Sequence, residues 1–378
     1  MRLRRKTPPG GRLVSPSYVV TVSKGIFIAM SSSTPTSTPA ALEIRNLQVE
    51  FDTFGGVVKA VRGVSYAVAP GQTLAVVGES GCGKSVTVQA VMGLIPRPPG
   101  RVTSGSALLK GGVDLLALTE AEARQYRARD IAMIFQDPMT SLNPTMRIGD
   151  QIAESLVVHK GMSWEASRAE AIRLLDRTRI PEASSRSRQY PFEFSGGMLQ
   201  RAMIAVAVAC RPAVLIADEP TTALDVTIQD QVLELMREIQ REEKMAIVLI
   251  THDLGVVARM ADEVAVMYAG QIVEQGPVGS IFKNSSHPYT LGLRQAMPSS
   301  DGSRTRLLPI EGSPPDLFRP PVGCGYCARC PFAMQVCEFH SPPLFDVGSG
   351  QSSACWLQHS EAPRSRDSRL HQKGKAPA

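Results

Sequence analysis

The chain has 378 residues, of which 43% are hydrophobic and 20% charged, with a formal net charge of +6. Such a chain is long enough for a main domain with an appendage and ordinary for a globular protein; no run of about 18 apolar residues occurs, which excludes a membrane-spanning helix among its segments. The positive charge gathers at the ends, at Arg2, Arg4, Arg5 and Lys6 and again at Arg364, Arg366, Arg369, Lys373 and Lys375, a pattern of solvated tails rather than of a nucleic-acid or lipid surface.

Residues 1–29 imitate a signal peptide only weakly. An apolar patch runs from Tyr18 to Met30, but Lys24 interrupts it and no clean cleavage site follows. Met30, followed by Ser31-Ser32-Ser33-Thr34-Pro35, reads as the true start, so residues 1–29 are expected to be dispensable. The Ser/Thr/Pro-rich stretch to residue 40 completes an extension expected to be disordered. Alternation at Leu42, Ile44, Leu47, Val49 and Phe51 predicts a strand, Thr53–Gly56 a turn, and Val57–Val68 more strand, a β-rich entrance to the apolar strand Thr73–Val77. A helix is predicted over Val86–Leu94. Further strands are predicted at Ala107–Leu109, Ile131–Phe135, Val214–Ala217, Ile247–Ile250 and Val264–Tyr268, with helices at Ile228–Glu243 and Leu254–Ala261. Strands alternating with helices indicate an α/β fold whose largely parallel sheet is covered by helices on both faces. The interval from Ile148 to about Ala209 has no convincing strand and reads as a helical insertion. The regular core is expected to end after Gln271–Glu274, and a Pro-, Gly- and Ser-rich connection over 298–323 leads to a cysteine-rich region.

Chemistry concentrates at a few points along this pattern. Gly78-Glu79-Ser80-Gly81-Cys82-Gly83-Lys84-Ser85 matches the phosphate-binding loop, between a strand and a helix as its mechanism requires. Glycines let backbone N–H groups curl round a phosphate, and the helix N-terminus adds partial positive charge. Lys84 would reach the terminal phosphates and Ser85 would hold Mg²⁺. The apolar strand from Val214 ends in Asp218 and Glu219, placing two carboxylates at the sheet edge where ligands bind. Asp218 suits Mg²⁺, and Glu219 suits an attacking water. His252 and Gln136 each follow an apolar strand and gain meaning only from this company. Ser195, before Gly196 and Gly197, is placed to cap a long helix, and such an N-terminus is a second candidate anion site.

Taken together, these segments resemble an ATP-binding-cassette (ABC) ATPase subunit over about residues 41–357. The resemblance makes 78–85 the Walker A loop, Gln136 the Q-loop residue and Phe194-Ser195-Gly196-Gly197-Met198 the signature. Asp218 and Glu219 end Walker B, Thr222-Ala223-Leu224-Asp225 is the D-loop and His252 the switch histidine. Phe194 and Met198 depart from the commoner Leu-Ser-Gly-Gly-Gln. They are similar to the dipeptide/oligopeptide/nickel permease branch, as are Gln136-Asp137-Pro138-Met139-Thr140-Ser141-Leu142-Asn143-Pro144 and His287-Pro288-Tyr289-Thr290.

The resemblance implies a P-loop NTPase fold with a mixed sheet core, an antiparallel β entrance, a helical insertion and a small Cys-rich C-terminal extension. It divides the chain into 1–40, an ATP-binding domain over 41–285 with a helical subdomain at about 145–209, the extension over 286–360, and a basic disordered tail over 361–378. ATP and Mg²⁺ are the implied substrate and cofactor. Gly78, Ser80, Gly81, Cys82, Gly83, Lys84, Ser85 and Val86 would surround the phosphates, with Ser85, Gln136 and Asp218 on the metal. Glu219, His252, Gln136 and Lys84 carry the implied catalysis. Phe54, with Phe51 as the fallback, is the implied adenine stack. Ser195, Gly196, Gly197 and Asp225 would serve a site shared with a second ATPase subunit, either different or a copy. Two transmembrane permease subunits and, indirectly, a substrate-binding protein are the other implied partners; nucleic acid is not. The implied role is to energise import of di- or oligopeptides, or ligands such as nickel, from the cytoplasmic face of the bacterial inner membrane.

Cys324, Cys327, Cys330, Cys337 and Cys355 form the cysteine region. Two consecutive CxxC spacings are a metal signal, and Cys330-Pro331 is similar to the Cys-Pro of iron–sulfur sites, with structural zinc as the competitor. In the permease branch the corresponding extension is associated with a [4Fe–4S] cluster. This implies Cys324, Cys330, Cys337 and Cys355 as ligands and leaves Cys327 over, against the alternatives of zinc or no metal. A soluble cassette acting on ribosomes or DNA is the rival function, but such proteins usually carry two cassettes or a long coiled-coil insertion. This chain has one phosphate loop and no sustained heptads. A catalytically silent subunit is disfavoured because Lys84, Asp218, Glu219 and His252 are all present.

Overall fold

The computed structural model describes residues 39–222, 224–297 and 309–362. The expectations for the start at Met30, for disorder before residue 39, for Ala223, for the first part of the connection and for the basic tail from residue 363 fall outside the described residues.

In chain order, β1 (Leu42–Thr53) and β2 (Gly56–Val68) form an antiparallel hairpin, and β3 (Thr73–Val77) leads into α1 (Lys84–Val91). β4 (Gly100–Leu109) returns to pair with β1, giving a three-stranded antiparallel sheet of order β2-β1-β4. After α2 (Glu120–Tyr126) and β5 (Ile131–Ile134) comes the helical insertion: α3 (Pro138–Ser141), α4 (Ile148–Lys160), α5 (Trp164–Arg177), α6 (Ala183–Arg186) and α7 (Gly196–Val208). The α/β pattern resumes with β6 (Val214–Asp218), α8 (Val226–Glu243), β7 (Ala246–Thr251), α9 (Leu254–Met260), β8 (Glu263–Tyr268) and β9 (Gln271–Pro277). The C-terminal region adds α10 (Val278–Lys283), α11 (Pro288–Gln295), α12 (Gln335–Phe339), β10 (Phe345–Gly348) and β11 (Gln351–Ser353).

The main sheet has the order β10-β11-β9-β8-β3-β7-β6-β5. Its centre, β8-β3-β7-β6-β5, is parallel, and β9, β11 and β10 continue it antiparallel. The central strands are apolar except at some of their ends because both faces are covered, and successive side chains serve opposite cores. Val214 and Ile216 of β6 pack with α1 and the antiparallel sheet. Leu215 and Ala217 pack with α7, α8 and α9. The insertion has its own core around Ile148, Ile152, Leu175 and Leu199. A fourth cluster joins Val77, Val266 and Tyr268 to Ile281, Tyr289 and Tyr326 of the C-terminal region.

Three sequence expectations are corrected. One sheet face is covered by a second sheet together with α1, not by helices alone. β4 begins at Gly100 rather than Ala107, because its exposed Arg101, Thr103 and Gly105 leave no apolar alternation to read. The regular core does not end near Glu274: β9 runs to Pro277 and the β10–β11 hairpin extends the sheet. Its inward residues Gln351 and Ser353 are polar and buried, so hydrophobic patterning could not announce it.

Candidate ATP site at the C-terminal edge of the sheet

β3 delivers the chain into the loop 78–83, and α1 starts at Lys84 behind it. The loop glycines answer to space as well as to conformation. Gly83 has φ 102°, and a Cβ there would lie 2.4 Å from the Ala60 carbonyl oxygen; at Gly78 a Cβ would lie 2.1 Å from that of Met267. Among the described residues, the N–H groups of Gly81 and Gly83 have no protein acceptor, as an anion cradle requires. Lys84 is buried and its ammonium donates to the carbonyl oxygens of Gly78 (2.8 Å) and Glu79 (3.0 Å), with Cys82 Sγ at 3.7 Å. An ammonium has three protons, so this geometry holds the charge inside the loop. The Cys82 thiol packs in the first core, and burial raises its pKa despite the nearby Lys84 charge. Val86 packs partly against the same core, and Ser80 and Gly81 are exposed.

Ser85 Oγ donates to Asp218 Oδ1 at 2.9 Å, which brings the start of α1 to the end of β6. Burial raises the Asp218 pKa, the Ser85 hydrogen bond opposes that, and the neighbouring Glu219 charge adds to it. A hydroxyl and a costly carboxylate side by side are hard oxygen donors that fit Mg²⁺. Gln136 stands just beyond β5 and lines a cleft with Ser85, Gln89 and Asp218.

Glu219 is the meeting point of the remaining predicted residues. It sits in the left-handed region (φ 47°) with its N–H bonded to the Ile250 carbonyl at 2.9 Å. Its carboxylate accepts from Gln136 Nε2 (3.1 Å) and Thr222 Oγ1 (2.9 Å), and His252 Nδ1 lies 3.2 Å from Oε1. Burial pushes the Glu219 pKa upward, but the hydrogen bonds from Thr222 and His252 and the nearby charges leave it lowered overall. The group is therefore an ionised acceptor at neutral pH, able to orient a water O–H.

Other predicted residues lie apart from this cluster. Ser195 caps α7 through the Met198 N–H at 3.4 Å. Ser195 and Gly196 are exposed, and Gly197 packs so closely on α8 that a Cβ would meet Ile228 at 2.9 Å. Asp225 caps α8 through the Ile228 N–H at 3.0 Å. No hydrogen bond among the described residues joins these to the phosphate loop. Phe54 is fully exposed at the β1–β2 turn, whereas Phe51 packs against the core; the fallback is thus already committed, and Phe54 keeps a free ring.

The cysteines converge without forming a ready metal cage. Cys324, Cys327, Cys330, Cys337 and Cys355 line one small cavity with His287, Tyr326 and Trp356. Among the described residues, no three Cys, His, Asp or Glu side chains stand as a group that could hold a metal ion. The geometry thus does not support the iron–sulfur expectation, although it gathers the thiols. Burial, with neighbouring thiols adding to it, pushes the pKa of Cys324 up to about 11 and of Cys330 and Cys355 to about 12.

Sequence reading placed Glu79 in the phosphate loop but gave no role to it, to Tyr289 or to Arg329. Tyr289 lay in a segment noted only for its resemblance, and Arg329 lies 250 positions from the loop it touches.

A parallel sheet with a phosphate loop, two acids at a strand end and a helical insertion defines an ATP-binding cassette. Family models for the ABC transporter and for the oligopeptide/dipeptide transporter C-terminal region match residues 61–222 and 273–337. The chain is 53% identical over 321 residues to the dipeptide transport ATP-binding protein of Bacillus subtilis (strain 168), covering 85% of this chain and 96% of that one. It is 49% identical over 317 residues to the oligopeptide transport ATP-binding protein of Escherichia coli (strain K12), covering 84% and 93%. Among solved structures, a dimeric ATP-binding cassette in a post-hydrolysis state with ADP and phosphate superposes with a TM-score of 0.57 at 23% identity, covering 63% of this chain and 98% of that one. The chain belongs to the ABC transporter ATPase family, in its dipeptide/oligopeptide/nickel permease branch. As a member of that family it is an ATPase, with ATP and Mg²⁺ implied by the family.

Proposed function

We propose that this ATPase energises the import of di- or oligopeptides. In this reading it works at the cytoplasmic face of the cell membrane, paired with a second cassette and bound to two membrane-spanning permease subunits. The observation that carries the reading is the C-terminal region, matched over residues 273–337 by a family defined on oligopeptide and dipeptide transporters. The similar dipeptide and oligopeptide transport ATP-binding proteins point the same way.

The loop N–H groups and Lys84 bind the β- and γ-phosphates, and Phe54 offers its exposed ring to the adenine. Ser85 and Asp218 would hold Mg²⁺, which would supply neutralisation of the charge that develops on the phosphate oxygens. Glu219 orients the attacking water by accepting its O–H and takes its proton as the water oxygen bonds to the γ-phosphorus and the bond to the β–γ bridging oxygen breaks, releasing ADP and phosphate. His252 and Gln136, both on the Glu219 carboxylate, fix its direction and report the terminal phosphate. Ser195 and Gly197, at the exposed start of α7, face the nucleotide of the opposing cassette, so closure of two subunits completes each site. The helical insertion receives the permeases.

For the cysteine region, where the thiols are gathered but do not stand as a formed metal group among the described residues, a [4Fe–4S] cluster on Cys324, Cys330, Cys337 and Cys355 is the proposed occupant. The thiols share one cavity, and metal binding would offset the burial that raises the pKa of Cys324, Cys330 and Cys355. Iron and acid-labile sulfide in anaerobically purified protein would support it, and zinc alone would exclude it.

The transport reading is tested in cells by uptake of a labelled dipeptide and a labelled tripeptide. Glu219→Gln at the native locus should abolish uptake of at least one of them. Undiminished uptake of both would overturn peptide import as the function.

A further inference from the structure

We propose that Arg329 is a positioning residue for the ATPase, which makes the C-terminal region a working part of the phosphate site. Arg329 lies in the short 3₁₀ turn Cys327–Arg329, and its side chain is only 6% exposed. Nη1 and Nη2 donate to Glu79 Oε2 (2.7 Å) and Oε1 (3.1 Å), a two-pronged grip on a residue of the phosphate loop. Nη1 also donates to Tyr268 Oη (3.2 Å), Nη2 to the Ile310 carbonyl (3.2 Å) and Nε to the Glu311 carbonyl (2.9 Å). A guanidinium has five N–H donors, and each has an acceptor. The rings of Tyr268 and Tyr326 lie beneath its charge at 5.8 and 6.0 Å.

Glu79 is held at every polar group. Its carboxylate goes to Arg329, its N–H donates to Tyr289 Oη at 2.8 Å, and its carbonyl accepts from Lys84 Nζ at 3.0 Å. Tyr289 is itself buried and packs on Tyr268 and Tyr326 at 4.5 and 5.4 Å between ring centroids. One loop residue thus has two anchors in the C-terminal region and a third on the lysine that binds phosphate. The same region reaches the adenine side: the Lys59 N–H donates to the Leu317 carbonyl at 3.0 Å, and Phe318 lies beside Gly55.

A mere staple would need none of this saturation. A loop whose N–H groups and lysine are already aimed loses less freedom when it takes the triphosphate. Releasing Glu79 should therefore weaken phosphate binding more than it slows the chemical step.

The test uses the full chain and rests on ATP hydrolysis alone, so its failure is separable from failure of the peptide-import reading. MgATP affinity by calorimetry and ATPase kinetics are measured for Arg329→Gln, Arg329→Lys, Glu79→Gln and the double Arg329→Gln/Glu79→Gln variant. The expected result is a KM and Kd for MgATP raised by about tenfold in Arg329→Gln and Glu79→Gln, with kcat within about threefold. Arg329→Lys should recover part of the loss, and the double variant should bind no worse than the weaker single one, since both remove one contact. Unchanged affinity in either folded single variant, or losses that add in the double, would overturn the proposal. If Arg329→Gln does not fold, Glu79→Gln with Arg329→Lys carries the same test, because both keep a polar partner in place.

Discussion

Ser85 Oγ and Asp218 Oδ1, 2.9 Å apart, join two segments that are 133 residues apart in sequence. The bond puts a hydroxyl from the start of a helix against a carboxylate from the end of a strand, which is the arrangement a hard divalent cation needs. Asp218→Asn is expected to lower Mg²⁺-dependent turnover by about a hundredfold or more. Without nucleotide the variant should melt no earlier than the parent. Because burial raises the Asp218 pKa above its unfolded value of 3.8, the cost in stability sets in as pH rises past that value and is complete above the folded pKa. A magnesium titration of ATPase rate and a thermal melt at neutral pH check both halves.

Glu219→Gln is expected to retain MgATP binding and to lose turnover by roughly 10²–10⁴-fold, the range of a general base or water-orienting group. Equilibrium binding measured beside single-turnover hydrolysis separates the two effects.

The lowered pKa of Glu219 has a pH signature of its own. Its stabilising contribution is present above the unfolded glutamate value of 4.5 and is lost as pH falls through the folded value, so this residue should contribute no titration to kcat/KM between about pH 5 and 7. A limb in that window that vanishes in Glu219→Gln would contradict the assignment.

His252 is 61% exposed and meets Glu219 through Nδ1 alone. His252→Ala should therefore leave the melting temperature nearly unchanged, within about 0.5 kcal/mol of stability. Turnover should drop by about tenfold or more, because the carboxylate loses one of the groups that direct it. Differential scanning fluorimetry with steady-state ATPase assays reads both.

Gly83→Ala should be costly for two reasons in one residue: a φ of 102° and a Cβ 2.4 Å from the Ala60 carbonyl oxygen. A loss of about 1–3 kcal/mol in unfolding free energy is expected, together with weakened nucleotide binding. Denaturant unfolding and calorimetry check the pair.

Much of this protein could be read along one dimension. β3, β6 and β7 are continuous apolar runs because both sides of the sheet are covered, and each ends in a residue whose chemistry has no other use there: Gly78, Glu219 and His252. Local pattern and local chemistry agree at these places, so the fold class was legible in the sequence, and the phosphate loop, Asp218, Glu219, Gln136 and His252 stood out there as candidates. Tertiary structure alone decided what depended on distance in the chain or on buried polarity. The β10–β11 hairpin joins the sheet through Gln351 and Ser353, which carry no hydrophobic signal. Phe51 and Phe54 are chemically alike, and only packing separates the committed ring from the free one. Arg329 reaches Glu79 across 250 residues, because the folding of α11 and the cysteine turn against β8 closes that gap. A hydrogen bond is made by proximity in space, and the order of residues along a chain does not encode which distant arginine will arrive.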